Sequence, residues 1–214
     1  MEILKCCPNL LRLNFQKPNE ENVSVNTSPN PILNHLAENP LPSLRSLRLA
    51  GRGGFKVWRI RLDAFLTSHP GIEFIDVSAG EIQEGDEGEL YIDQPPTPLP
   101  NLSHLCVAFF SDLFLTRAMP RLHSLSIRAL GLRWIDEMMR SSHPKTLDHI
   151  ENLEVYEFSE PFQMKYLETV AKRFPNVKNF SMVISTWMMP HRAKSVSITE
   201  VLFHLALKFL HKAV

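Results

Sequence analysis

Cysteine is scarce in this sequence. Only three of the 214 residues are cysteine, an odd number, and Cys6 and Cys7 are neighbours, which rarely bridge to each other. No disulfide framework follows, and the chain reads as a protein of a reducing, intracellular compartment, cytoplasmic or nuclear. An excess of one charge sign is also missing, since Lys and Arg number 23 and Asp and Glu number 23. Partners that bulk positive charge would attract, nucleic acid and anionic membranes, are disfavoured. No apolar run approaches the ~18 residues of a spanning helix, and the strongest, Val201–Leu210, is interrupted by His204 and Lys208. The opening Met-Glu-Ile-Leu-Lys-Cys-Cys-Pro has an acid at position 2 and no apolar core followed by small residues, unlike a secretory leader.

The signatures of catalysis are absent as well. The sequence contains no G-x-S-x-G, no H-E-x-x-H, no G-x-x-x-x-G-K-[ST] and no paired C-x-x-C. His104 and Cys106 form the one close His and Cys pair, but two residues along a strand lie roughly 6–7 Å apart, too far for a nucleophile and its base. His204 and His211 share a helix side without further ligands and read as surface residues. Arg52 in Gly-Arg-Gly-Gly lacks a complete phosphate-binding fingerprint, so the turn more simply supplies unusual backbone angles. No catalytic residue, metal ligand or cofactor is assigned, and the chain is read as a non-enzyme.

What is abundant is leucine, which occurs 29 times against 8 glycines, in a chain that is 44% hydrophobic and 21% charged. That composition belongs to a folded domain. The string P-x-L-x-x-L-x-L recurs as PNLLRLNF from Pro8, PSLRSLRL from Pro42, PGIEFIDV from Pro70, PNLSHLCV from Pro100, PRLHSLSI from Pro120 and PNVKNFSM from Pro175. A seventh copy without its proline reads DHIENLEV from Asp148, with a shift by three onto Leu153, Tyr156 and Phe158 as the alternative. The first apolar positions, Leu10, Leu44, Ile72, Leu102, Leu122, Ile150 and Val177, are 34, 28, 30, 20, 28 and 27 residues apart. Their mean, about 28, falls in the range of leucine-rich repeats.

The last two apolar residues of each copy are two apart, the period of a strand with one buried face. Helical periodicity fills the intervals, clearest over Pro161–Phe174 and shorter over Ile32–Ala37, Arg61–Thr67, Asp112–Ala118 and Trp134–Arg140. Ser-His-Pro at 68–70 and at 142–144 marks helix exits, because the residue before proline avoids helical angles. A strand-helix unit this small cannot bury its own apolar face, so neighbours must stack in parallel around a shared core. The expected fold is α/β, a leucine-rich-repeat solenoid: an open horseshoe with parallel strands on the concave face and helices on the convex face. It spans 1–197 in about seven irregular repeats, and 198–214 forms a C-terminal capping helix.

With its Cys-Cys-Pro-Asn-Leu and Phe-Pro-Asn-Val openings and irregular repeat lengths, the chain resembles the leucine-rich-repeat region of fungal F-box and F-box-like proteins, over roughly Leu10 to Ile184. The resemblance implies a substrate-recognition module, whose N-terminal F-box would dock to the adaptor of a cullin-type ubiquitin ligase. This chain opens inside what reads as the end of a repeat helix, Met1–Cys7, with no space for an F-box, so a ligase adaptor is expected only if an F-box lies upstream. The alternative is a free-standing repeat scaffold or inhibitor without ubiquitin machinery.

Two segments break the pattern. An acidic, Pro-rich insertion at 81–99 carries Glu81, Glu84, Asp86, Glu87, Glu89 and Asp93 without a base, whereas Asn39–Leu62 carries Arg45, Arg48, Arg52, Lys56, Arg59 and Arg61. These patches are expected to neutralise each other in part or to be solvated. The other candidate surface is the set of strand positions that alternate with the buried ones, from Arg12 and Asn14 through Asp76 and Ser78 to Val183. On it Arg48, Phe74, Arg128 and Tyr156 are the expected anchors for a protein partner, since aromatic and guanidinium groups carry most binding energy. Their replacement by Ala is expected to leave the fold intact.

Overall fold

The computed structural model describes residues 7–17, 28–51, 55–78, 80–83, 97–108, 114, 117–130, 148–157, 174–184 and 194–197. It is a mixed α/β structure dominated by one mostly parallel sheet. The strands are β1 (Arg12–Lys17), β2 (Ser46–Gly51), β3 (Phe55–Trp58), β4 (Phe74–Val77), β5 (Gly80–Gln83), β6 (His104–Val107), β7 (Ser124–Leu130), β8 (Asn152–Glu157), β9 (Asn179–Ile184) and β10 (Lys194–Ser197). Eight of them form the main sheet in the order β1-β2-β4-β6-β7-β8-β9-β10, so space follows sequence. The first seven are parallel, and β10 runs antiparallel beside β9.

The recurring proline has a local cause. In six copies the first apolar residue donates its N–H to the carbonyl three residues earlier: Leu10 to Cys7, Leu44 to Leu41, Ile72 to His69, Leu102 to Leu99, Leu122 to Met119 and Val177 to Phe174. Each is a four-residue turn with proline in its second position, where the fixed φ is already correct and no N–H is needed. A second recurrence follows immediately. The carbonyls of Leu11, Arg45, Glu73, Ser103, His123 and Glu151 each accept two consecutive N–H groups from the start of the next parallel strand. These paired bonds set a common register at the starts of the parallel strands of the main sheet.

That register lines up Leu13, Leu47, Ile75, Leu105, Leu125, Leu153 and Phe180 as Cα partners across the sheet. The five inner members are at most 2% exposed and belong to one continuous core, while Leu13 and Phe180 at the edges are partly buried. One apolar ladder thus crosses the parallel strands. Ile150 is fully buried and Asn152 pairs with Ser124, so the seventh copy follows Asp148 without the shift by three.

Two helices are described, α1 (Asn30–Glu38) and α2 (Arg59–Ser68). They contain the expected stretches at 32–37 and 61–67. Leu33 and Leu36 of α1, with Leu62, Phe65 and Leu66 of α2, turn into the same core as the strand ladder. Each helix ends two residues before a proline, Pro40 or Pro70. Asn30 ties α1 to β3: its Oδ1 accepts the Trp58 N–H at 2.9 Å and its Nδ2 donates to the Lys56 carbonyl at 3.1 Å. The expected helices at 134–140 and 198–214, all but Phe174 of that at 161–174, and four of the seven residues of that at 112–118 lie outside the described residues.

Three features depart from the expected pattern. The acidic insertion does not begin as a loop: residues 80–83 form β5, parallel to β3, with Glu81 in register with Lys56. Glu-Ile-Gln is a strand alternation, and half-buried Ile82 packs against the core. The segment before 197 also adds an antiparallel strand, β10, which covers the backbone edge of β9. Finally, the ladder between β7 and β8 shifts register between Ile127 and Leu130, an irregularity that interrupts alternation where Arg128 sits.

Candidate functional site

The face of the sheet opposite the core is read row by row. At the strand starts, Arg12, Ser46, Phe74, His104, Ser124 and Asn152 are successive Cα partners. Two residues along, Asn14, Arg48, Asp76, Cys106, Ser126 and Glu154 form the second row. Alternation explains why these twelve positions share a face. It does not predict burial, because Asp76 of this face and Ser78 just beyond it, both expected to be exposed, are only 5% and 9% accessible.

Asp76 is enclosed by what it binds. Its Oδ2 lies 3.1 Å from Arg48 Nε, and its Oδ1 accepts the Ser78 N–H at 3.1 Å and the Ser78 hydroxyl at 2.5 Å. Such partners offset the cost of taking a carboxylate out of water. Arg48 is about half exposed, so one end of its guanidinium is held and the rest faces solvent. The expectation that truncating Arg48 would leave the fold intact is therefore corrected, since it would strip a buried acid of its cation.

Phe74 and His104 stand side by side on β4 and β6 with ring centres 6.1 Å apart and planes at 36°. His123 meets His104 edge-on at 4.8 Å. Ser103 gives its hydroxyl proton to the Glu73 carbonyl at 3.0 Å, so the 2.7 Å contact with His104 Nδ1 requires that nitrogen to carry the proton. His123 Nδ1 faces the Arg121 carbonyl at 3.1 Å and must be a donor too. Burial, with the neighbouring His123 second, lowers the pKa of His104. Near neutral pH the His104 ring is thus uncharged.

Further along, Glu154 accepts hydroxyl protons from Ser126 at 3.1 Å and from Tyr156 at 2.6 Å. Tyr156 is half-buried, and its hydroxyl is committed within its own strand. Of the four expected anchors, Arg48 and Phe74 are on adjacent strands and line one open groove of about 550 Å³. Tyr156 lies three strand steps from Phe74, roughly 14 Å at about 4.8 Å per step, and a further four residues along its strand. Arg128 falls in the register irregularity, so alternation assigns it no face. The four do not converge.

Sequence reasoning passed over the position directly after the first apolar residue. Arg45 and Glu73 are ion-paired at 3.7 Å, Glu151 and Lys178 at 2.7 Å, and both Arg45 and Glu73 line the groove. Their equivalent places in successive copies were the available signal. Among the described residues no three His, Cys, Asp or Glu side chains are grouped to hold a metal ion, and no helix is long and apolar enough to cross a membrane. No protein-family model, curated protein or solved structure matches the chain.

Proposed function

We propose that this chain is a non-catalytic protein-recognition module, built as a leucine-rich-repeat solenoid, that takes a protein partner on the exposed face of its parallel sheet. One observation carries the reading: seven parallel strands succeed one another in chain order through recurring turn and shared-carbonyl geometry. That arrangement displays two continuous rows of polar and aromatic side chains on a single face. Such an array suits an extended partner surface better than a small substrate, which is normally enclosed in a concave pocket. The module is similar to the substrate-recognition repeats of F-box-like ubiquitin-ligase receptors, and an adaptor would join it only through an F-box. An intracellular setting suits Cys7 and Cys106, neither of which is in a disulfide.

The test is affinity capture on the immobilised full chain, followed by mass spectrometry and a binding titration of the captured protein. Phe74→Ala and Tyr156→Ala are expected to weaken binding without changing the far-ultraviolet circular dichroism. Neutralising Glu84, Asp86, Glu87, Glu89 and Asp93 together is expected to have little effect. The reverse pattern, with steep salt dependence, would transfer the function to the acidic segment, because exposed charges are screened over about 8 Å at physiological ionic strength.

A further inference from the structure

The groove has chemically distinct ends. It crosses the starts of β1, β2, β4 and β6 and contains three guanidinium groups, those of Arg12, Arg45 and Arg48. Two are already engaged. Arg45 donates to the carbonyls of Pro42 at 2.9 Å and Leu44 at 3.1 Å, and Arg48 is held by Asp76 at 3.1 Å. Arg12 is exposed, and among the described residues no carboxylate pairs with it. One wall of the groove therefore offers a positive charge in search of an anion. The opposite wall is the Phe74–His104 ring pair, backed by His123.

Spacing selects what fits between them. Arg12 and His104 are separated by three strand steps, roughly 14 Å at about 4.8 Å each. A peptide lying across the strands in extended form covers that distance in about four residues, at ~3.3 Å apiece, and residues four apart then face the same way. A helical ligand would need about nine residues for the same span, with both contacts no longer on one turn. A nucleic acid would bring a phosphate every few ångströms against Glu73 as well as Arg12, and the groove has no second unengaged cation for it among the described residues.

Resting on the exposed-face reading, we propose that the groove binds an extended peptide segment of the partner that carries a carboxylate at one position and a bulky apolar side chain four residues away. The carboxylate sits on the Arg12 guanidinium, which matches its planar geometry. The apolar side chain packs on Phe74 and His104. The ion pair between Arg48 and Asp76 lies between them and keeps the groove floor from attracting a second acid.

Fluorescence anisotropy of the full chain against labelled peptides tests this. The peptides place Glu at one position and Leu, Met, Phe or Trp four residues later in a Ser/Thr background. Controls replace Glu by Gln or move the apolar residue one position closer, onto the opposite face. Each control is expected to bind at least about tenfold more weakly, the ordinary loss on deleting a charge-assisted bond or an anchor. Arg12→Gln is expected to reproduce the Gln-peptide loss and to add nothing to it, with an unchanged melting temperature because Arg12 is exposed on an edge strand.

Equal binding of Glu and Gln peptides, or full binding by the Arg12→Gln protein, would overturn the proposal. So would failure of every peptide at millimolar concentration. If Phe74→Ala still weakens capture of the natural partner in that last case, the exposed-face reading stands and only the ligand chemistry is wrong. If capture ignores Phe74 and Tyr156 too, both readings fall.

Discussion

The Leu41 backbone N–H donates to Nε2 of His69 at 3.1 Å, joining the turn before β2 to the end of α2 across 28 residues. The histidine is 3% exposed and stacks on Phe65 with ring centres 4.4 Å apart. Its Nδ1 faces Ser68 Oγ at 2.8 Å and the Phe65 carbonyl at 3.0 Å, while the Ser68 hydroxyl donates to that carbonyl at 2.9 Å. Nε2 as acceptor leaves Nδ1 as the protonated nitrogen, so one tautomer of the neutral ring satisfies every partner. A second proton would set two donors, Nε2–H and the Leu41 N–H, against each other.

Acid is therefore expected to weaken the fold through His69. Burial lowers its pKa below the ordinary 6.5, with the Phe65 carbonyl opposing in part. The unfolded chain then binds more protons than the native one between the lowered value and 6.5. Stability is complete above 6.5 and falls as pH drops through that window. His104, lowered as well, acts with the same sign. Urea titrations at pH 7.5 and 5.0 check this: His69→Gln should reduce stability at pH 7.5 by about 1–3 kcal/mol and flatten the acid slope. Glu151, whose pKa the Lys178 hydrogen bond lowers from 4.5, loses its contribution only in more acidic solution and leaves this window clear. An unchanged slope in the variant would refute the assignment.

Arg117 is buried, bonds the Thr97 carbonyl at 2.7 Å and pairs with Asp63 of α2, which is 45% exposed. Burial first and the charge of Arg59 second lower its pKa to about 10. The two ways of breaking this pair are unequal. Arg117→Met keeps an apolar stem in place and leaves Asp63 to water, whereas Asp63→Asn leaves a buried cation without its counter-ion. Asp63→Asn is expected to cost about 3 kcal/mol or more and Arg117→Met less. Denaturant midpoints ordered the other way would show that the arginine stem matters more than its charge.

The core was legible because its information is local and repeated. Six copies declare a turn by their proline, all seven declare a buried pair by residues two apart, and the shared-carbonyl bonds then fix the ladder. Burial of Asp76 was not legible, since it depends on Arg48 from the neighbouring strand and on Ser78 folding back. Arg117 gives no sequence signal either, because its partner Asp63 is 54 residues distant. Arg128 shows a further limit: alternation holds only until a register shift between neighbouring strands breaks it. The short strands β5 and β10 were masked by charge and by the lack of a leucine pattern.

The ladder predicts a gradient in mutational cost. Leu105→Ala, at a fully buried position between two occupied neighbours, is expected to lose about 2–5 kcal/mol, as large-to-small changes in packed cores do. Leu13→Ala, on edge strand β1 and partly buried, should lose clearly less. Equal costs from urea unfolding would mean that the edge repeat is as tightly packed as the centre.

The pair between Arg48 and Asp76 yields the last prediction, and it bears on how any binding experiment here is interpreted. Asp76 is nearly inaccessible and Arg48 half exposed, so the two truncations leave different things behind. Arg48→Ala strands a buried carboxylate, which the Ser78 bonds support but do not neutralise. Its expected cost is about 3 kcal/mol. Asp76→Ala leaves a guanidinium that water can solvate, and its cost lies mainly in the lost bonds to Ser78. Once Asp76 is absent, removing Arg48 has little further to disturb. The double variant is therefore expected to be more stable than the sum of the singles by at least about 1 kcal/mol. Additivity to within ~0.5 kcal/mol would show that the ion pair is incidental. With coupling confirmed, a loss of partner binding in Arg48→Ala alone would report partial unfolding as much as a lost contact. Comparison with the double variant, in which the stranded charge is gone, separates the two.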